Sequence, residues 1–390
     1  MLEVGEMVAA PFCTKLMADL GADVVKVEPP GKGDPSRWRG PFPDDEVHPE
    51  RSALFLYLNT SKRSVTLDLA SEAGREIFAR LVEGVDVLVE DRKPGEMAAL
   101  GLGYDDLAAR DPRIIVTSVT PFGQTGPRKL HRSQHLNLYH SSGHASPFKK
   151  REAVEAGGSR APARAGGYLG EYDAGLSAAV ATLGAVLGRE VTGAGQNVDV
   201  SKQEAMMNLE RVIIGISANA PDPFAGRSPG GLVRAKDGYV NVITLEDHQW
   251  EGLLRAMGNP EWSRADWCQS KASRQEHADQ IEEQVGAWAA GLTRDEIYHC
   301  VQAEGTPASP VRNVAEVMAW EQTKARGFFR ELPHPEAGTQ LYPTAAYQFS
   351  ETPWAGARAP LLGEHNDAIY GRALGIPPAE LESLAGSRVI

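Results

Sequence analysis

Ten residues concentrate the chemistry open to this chain: Gly166-Gly167-Tyr168-Leu169-Gly170-Glu171-Tyr172-Asp173-Ala174-Gly175, with the apolar run 176–187 behind them. Glycines let backbone come close to a ligand, and the start of a helix offers unpaired N–H groups and a partial positive charge. A carboxylate just before such a helix stays ionised with a ligand close above it, which suits a carboxylate nucleophile. The same spacing fits a plain helix cap by Glu171 or Asp173, because carboxylates are common at helix N-termini. Spacing alone leaves both readings open. A second concentration is His131, His135, His140 and His144. These spacings do not match HExxH, and no Cys or acidic partner lies close by, so no metal is expected.

These residues need elements to hold them. Residues 2–28 read strand, loop, helix, strand: Leu2 to Gly5 ends a strand whose beginning is missing, Pro11 to Leu20 is an amphipathic helix, and Asp23 to Glu28 is a buried strand. Gly21 stops the helix. An acid closing the second strand after a first-strand glycine suits a dinucleotide-type fold. The full GxGxxG is absent, since Glu6-Met7-Val8-Ala9-Ala10 follows Gly5, which argues against a nicotinamide cofactor. Residues 29–52 read as a long charged surface loop. Strands 64–69, 85–90 and 114–119 alternate with helices 72–82 and 104–110, which predicts a parallel sheet with helices on both faces. Segment 124–165 has little periodicity, the kind of long irregular stretch that carries function. After strand 198–200, Ser201 caps a long helix to about Ser217, with Glu204 at capping-box spacing.

The expected fold class is therefore α/β: a Rossmann-like large domain over 1–218, a linker over 219–231, a smaller α/β domain over 232–325, and a C-terminal segment 326–390 that returns to the large domain. The 390 residues exceed one ordinary core. A net charge of −12 without a Lys/Arg-rich run makes nucleic acid and anionic membranes poor partners. No apolar stretch reads as long enough to cross a bilayer, and no signal peptide is read at the start. The three cysteines, Cys13, Cys268 and Cys300, form no CxxC and imply neither a disulfide framework nor a zinc site. A cytoplasmic enzyme is the expected class.

Several motifs then carry a resemblance. They are Ala10-Pro11, the run from Leu16 to Pro30, Asn59 to Ser64, Val89 to Gly95, Gly101 to Tyr104, and Thr192 to Val200. In this order and spacing the chain resembles the family III CoA-transferases, which include formyl-CoA:oxalate and carnitine CoA-transferases and the related 2-methylacyl-CoA racemases. The resemblance implies a large Rossmann-like domain built from both chain ends, a small domain between, and two subunits threaded like chain links. It implies an interlocked homodimer, or a heteromer where two related chains build the enzyme.

The resemblance also implies the chemistry. A family aspartate in a Gly-Asp-x-x-x-Gly setting attacks a donor acyl-CoA, gives a mixed anhydride, then an enzyme carboxyl-CoA thioester, and the acceptor acid reverses the sequence. Gly170-Glu171-Tyr172-Asp173-Ala174-Gly175 holds that setting, with Glu171 at the aspartate position and Asp173 two residues on. Glu171 is the implied nucleophile. Takeover by Asp173, or a non-catalytic CoA-ester-binding subunit, are the alternatives. Coenzyme A as substrate thioester is the implied ligand, with contacts from Val8, Ala9, Leu67, Asp91, Arg92, Lys93 and Arg132. Pro29 and Ala99 stand where some relatives carry phosphate-binding arginines, and Lys26, Lys32, Arg37, Arg92 and Lys93 are the candidates to compensate. A racemase needs a paired His and Asp; the aligned positions hold Gln134 and Glu171, with His135 one residue off, and neutral Gln exchanges no proton. His135 or His140 is a candidate to position the acyl group. Ser228-Pro229-Gly230-Gly231 reads as a covering glycine loop or as a linker turn. Tyr139, Phe148, Tyr168 and Tyr172 point to a larger or aromatic acyl group, though aromatics also simply pack.

Overall fold

Runs such as Val25-Lys26-Val27-Glu28 and Val87-Leu88-Val89-Glu90 are buried at every position, as strands of a parallel sheet covered on both faces must be. The computed structural model describes residues 1–144, 165–209, 211–219 and 230–390; Phe148, Ser228 and Pro229 lie outside them. The chain divides into one unit of residues 1–214 with 327–390 and a second of residues 215–326.

In the first unit the elements follow one another as β1 (Leu2–Val4), α1 (Ala9–Ala18), β2 (Val25–Glu28), α2 (Ala53–Leu58), β3 (Arg63–Thr66), α3 (Glu72–Val82), β4 (Val87–Glu90), α4 (Glu96–Ala99), α5 (Tyr104–Ala108), β5 (Ile115–Thr120), α6 (His135–Ser141), α7 (Leu169–Thr192), β6 (Asn197–Ser201) and α8 (Lys202–Leu209). The six strands are all parallel, in the order β3-β2-β1-β4-β5-β6. This is a doubly wound sheet whose order reverses between β1 and β4, and ligands bind such sheets at the carboxyl ends of the strands. Alternate residues of one strand feed two cores. Leu88 packs with Leu2, Val27, Val65 and Phe78 on one face, while Val87 and Val89 pack with Ala10, Cys13 and Ala178 on the other.

Two expectations change. Residues 29–52 are not simply a surface loop, because Asp34, Ser36 and Arg37 are fully buried. Burying charge requires partners, and here Lys26 pairs with Glu3 at 2.6 Å and Asp34 at 2.7 Å while Arg37 pairs with Glu28 at 2.7 Å. The helix expected after Ser201 is described over α8 and over α9 (Arg211–Asn219), on either side of residue 210. Ser201 does cap: its hydroxyl accepts the Glu204 N–H at 3.2 Å. Secondly, α7 extends over 24 residues and holds an 18-residue stretch apolar enough, by length and composition, to cross a bilayer. The sequence pattern draws the eye to the run 176–187 and hides the small residues that extend it. Yet α7 is a layer of the sheet: Ala174, Ala178, Thr182 and Ala185 are buried, and Arg189 pairs with Asp86 at 2.9 Å.

The chain's end belongs to the same unit. Beyond the hairpin formed by Phe329–His334 and Gly338–Pro343, the His365 N–H donates to Ser64 O at 2.9 Å and the Tyr370 hydroxyl to Thr66 O at 2.9 Å. In the second unit, β7 (Gly231–Ala235), β8 (Gly238–Val242) and β9 (Ala308–Pro310) form an antiparallel sheet. Its core joins Val240, Trp250, Ile281, Ile297 and Val301.

Candidate active site

Glu171 is not a cap. Helix α7 begins one turn earlier than the sequence suggested, at Leu169, behind Tyr168, whose side chain caps nothing. Glu171 therefore lies inside the first turn, where its own N–H donates to Tyr168 O at 2.9 Å and the helix dipole favours negative charge. The flanking glycines serve packing and not a ligand loop. A Cβ on Gly170 would lie 2.1 Å from Met206 Sδ of α8, and one on Gly175 would lie 2.5 Å from Ala9 O of α1. Both are closer than atoms approach, so the two glycines let α7 sit tightly against α8 and α1.

That tight packing has a consequence for charge. Lys202 opens α8 directly after β6, and its Nζ meets Glu171 Oε2 at 2.7 Å with side chains only 14% and 11% exposed. Burial, the largest single influence, works against the Lys202 charge, but Glu171 and then Asp91 overcome it and hold its pKa above the ordinary lysine value. Burial pushes the Asp91 carboxyl up to about 7, against the pull of Lys202 and of the Glu6 N–H, which donates to Asp91 Oδ2 at 3.0 Å. Glu171 and Lys202 thus form an ion pair between the start of α7 and the start of α8, and Asp91 at the end of β4 adds to the charge that Lys202 keeps. Asp173 is half-buried, and burial raises its pKa against a partial offset from His144.

Next to Asp91 in the chain, Arg92 lines a cleft of about 320 Å³ at the carboxyl ends of β1, β2 and β3. Val4, Val27, Pro29, Leu67 and Leu100 give it apolar walls. Glu28, Asp68 and Glu96 line it as well, so Arg92 is the cation among three carboxylates there; the apolar walls suit a flat base. Pro29 and Ala99 both line it, so the positions read as lacking arginine do face this space. Arg92 is held loosely, 3.5 Å from Glu6 and 4.0 Å from Glu96.

Other predicted contacts fall elsewhere. Arg37 does not serve phosphate: its guanidinium is consumed by Glu28 and Glu50 and lies 3.6 Å over the Phe55 ring. Lys26 is likewise consumed by Glu3 and Asp34. Ala9 is fully buried, its carbonyl against Gly175, and Val8 precedes it as the buried start of α1; these are packing positions, not open backbone. Lys93 is exposed and lines a separate cavity of about 120 Å³. Arg132 is exposed on the segment leading to α6. Gln134 is exposed at the start of α6. His135 is buried, its ring 5.8 Å from that of Tyr168 and 6.2 Å from that of Tyr139. His140 is exposed beside Tyr139. Tyr172 packs edge-on to Phe12 at 4.9 Å. Gly230 and Gly231 have φ of +117° and +83° where the chain enters β7 of the second unit. Sequence reasoning missed Lys202 as a site residue; its signal was a lysine immediately after a strand in a doubly wound sheet.

Comparison with known proteins gives these residues a context. The profile of CoA-transferase family III matches residues 1–366. Succinyl-CoA--D-citramalate CoA-transferase of Chloroflexus aurantiacus is 31% identical, with 100% of this chain and 96% of that protein covered. The beta subunit of succinyl-CoA--L-malate CoA-transferase of the same organism is 30% identical, with 100% and 96% covered. A crystal structure of a CaiB/BaiF family protein from Brucella suis superposes with a TM-score of 0.81 at 28% identity, covering 95% of this chain and 97% of that one. The doubly wound sheet, the cleft at its carboxyl edge and the match along nearly the whole chain agree: the protein belongs to CoA-transferase family III.

Proposed function

We propose that this enzyme moves CoA from an acyl-CoA thioester to a free carboxylic acid through a covalent adduct on Glu171. The observation that carries the reading is the Glu171 carboxylate, buried in the first turn of α7 and ion-paired with Lys202 at 2.7 Å. A carboxylate suits the task because it is at once nucleophile and leaving group. Glu171 attacks the thioester carbonyl; the C–S bond breaks, releasing CoA thiolate and leaving a mixed anhydride. The thiolate attacks the Glu171 carbonyl, expelling the donor acid and leaving a glutamyl-CoA thioester. The acceptor carboxylate repeats the two steps in reverse, leaving with CoA and freeing Glu171. The cleft beside Arg92 takes the nucleotide end of CoA in this reading. Succinyl-CoA, the donor in the names of both relatives, is the first donor to test.

The test is to trap the adduct. The chain is incubated with succinyl-CoA and other acyl-CoAs, treated with hydroxylamine or borohydride, and digested with trypsin, and the peptide 165–189 is sequenced by mass spectrometry. A hydroxamate or alcohol on Glu171, absent in Glu171→Gln, is the expected result. The label on Asp173 would move the nucleophile, and an unmodified peptide from protein that binds CoA would overturn the covalent reading.

We also propose a cytoplasmic homodimer. Leu176, Val180, Leu183, Leu187 and Val191 are 46–88% exposed, and their three- and four-residue spacings place them on one face of α7. A second copy suits this stripe, since the opposite face is already buried against α1 and the sheet. The name of the malate relative, a beta subunit, supports a second reading in which the partner is a related chain. Activity that appears only on mixing with such a chain would favour that reading. A racemase stays disfavoured, with Gln134 exposed at a position that needs a base.

A further inference from the structure

We propose that Lys202 is the positioning residue of the transfer site: it fixes the Glu171 carboxylate for attack on the thioester. This deepens, and rests on, the reading of Glu171 as nucleophile.

Glutamate has one more rotatable bond than the aspartate expected at this position, so its oxygens sweep a larger volume unless something holds them. Here the Lys202 ammonium holds them, at 2.7 Å from Oε2. Lys202 has little freedom of its own, because it opens α8 directly after β6, and α8 is pressed to α7 where Gly170 admits Met206. Two rigid elements thus fix both ends of the pair, which is what precise placement of a nucleophile requires.

Paired with Glu171, Lys202 is held as an ammonium and has no lone pair with which to compete for the thioester carbonyl.

The experiment uses full-length wild type, Lys202→Met, Lys202→Gln and Lys202→Arg. The readouts are the rate of adduct formation on peptide 165–189 in a single turnover and steady-state turnover with succinyl-CoA. The expected result is that kcat and the adduct rate both fall by about 100-fold in the Met and Gln variants, KM for the acyl-CoA changes little, and Arg recovers most of the rate. An adduct that forms equally fast in Lys202→Met, or a loss that appears in KM and not in kcat, overturns the inference and leaves Glu171 as nucleophile. If wild type forms no adduct on Glu171 at all, the covalent reading falls first. A folded Gln variant suffices if Met does not fold.

Discussion

Replacing Glu171 by aspartate returns the residue the family setting calls for, and it should nevertheless impair this enzyme. Aspartate withdraws the carboxylate by one bond, about 1.5 Å. The pair with Lys202 then opens from 2.7 Å to about 4.2 Å. With an effective dielectric of about 20, the Coulombic attraction falls from about 6 to about 4 kcal/mol. Lys202 has little room to follow, because α8 is fixed by β6 behind it and by Met206 against Gly170. A loss of about 2 kcal/mol, expressed in placement of the nucleophile, corresponds to roughly 30-fold in rate, and a misplacement of an ångström or more to about 100-fold. The assay is steady-state CoA exchange from succinyl-CoA to a panel of carboxylic acids, with the trapped adduct quantified alongside. The expected outcome is a kcat lower by about 30- to 100-fold for Glu171→Asp, with KM for the CoA ester nearly unchanged and an adduct that forms more slowly on the shortened side chain. A Glu171→Asp variant as fast as wild type, or faster, would overturn this account, since the site would then not be built around glutamate.

Arg92→Ala removes the cation that lines the cleft of β1–β3; affinity for CoA by calorimetry should fall about 10-fold, in keeping with about 1.5 kcal/mol for a charge-assisted hydrogen bond, while kcat holds. Glu3 sets an acid limit on stability: burial works to raise its pKa, but Lys26 and Lys62 overcome this and hold it at about 2. A depressed carboxyl stabilises the fold above its unfolded pKa and loses that contribution as pH falls from about 4.5 toward 2, so urea midpoints should drop across that window, and Glu3→Gln should flatten the drop while costing about 3–5 kcal/mol at neutral pH. On α7, Leu183→Asp with Leu187→Asp should convert a dimer to monomers in sedimentation equilibrium; a wild-type chain that sediments as a monomer, or binds vesicles through this face, would remove the second copy as the occupant.

The parts legible in the sequence were those set by local pattern. Helix α3, expected over 72–82, runs from Glu72 to Val82 as its short-range periodicity requires, and the buried runs of β2 and β4 follow from continuous apolar and β-branched residues. The failures are tertiary. Arg37, Lys26 and Arg92 are the same kind of residue on paper, and only the fold separates two buried cations, neutralised by Glu28, Glu50, Glu3 and Asp34, from one that faces a cleft. The start of α7 is hidden for a related reason. Gly166, Gly167, Gly170 and Gly175 read together as a loop, whereas Gly170 and Gly175 are helical positions whose missing Cβ matters only once Met206 and Ala9 are brought against them. Lys202 is equally hidden, because its partner is 31 residues away and no periodicity connects them.

The glutamate and the lysine are best understood together. A glutamate in the aspartate setting, taken alone, is a displaced nucleophile and a reason to doubt catalysis. A lysine at the end of β6, taken alone, is a buried charge with a cost. Joined at 2.7 Å, each answers the difficulty of the other: the lysine restrains the longer side chain, and the carboxylate neutralises the lysine. A double-mutant cycle measures this dependence. If Lys202 acts only through Glu171, then Lys202→Met should cost far less in kcat when combined with Glu171→Asp than in wild type, because the pair is already open there. Equal costs on both backgrounds would separate the two residues and return Lys202 to an ordinary buried charge.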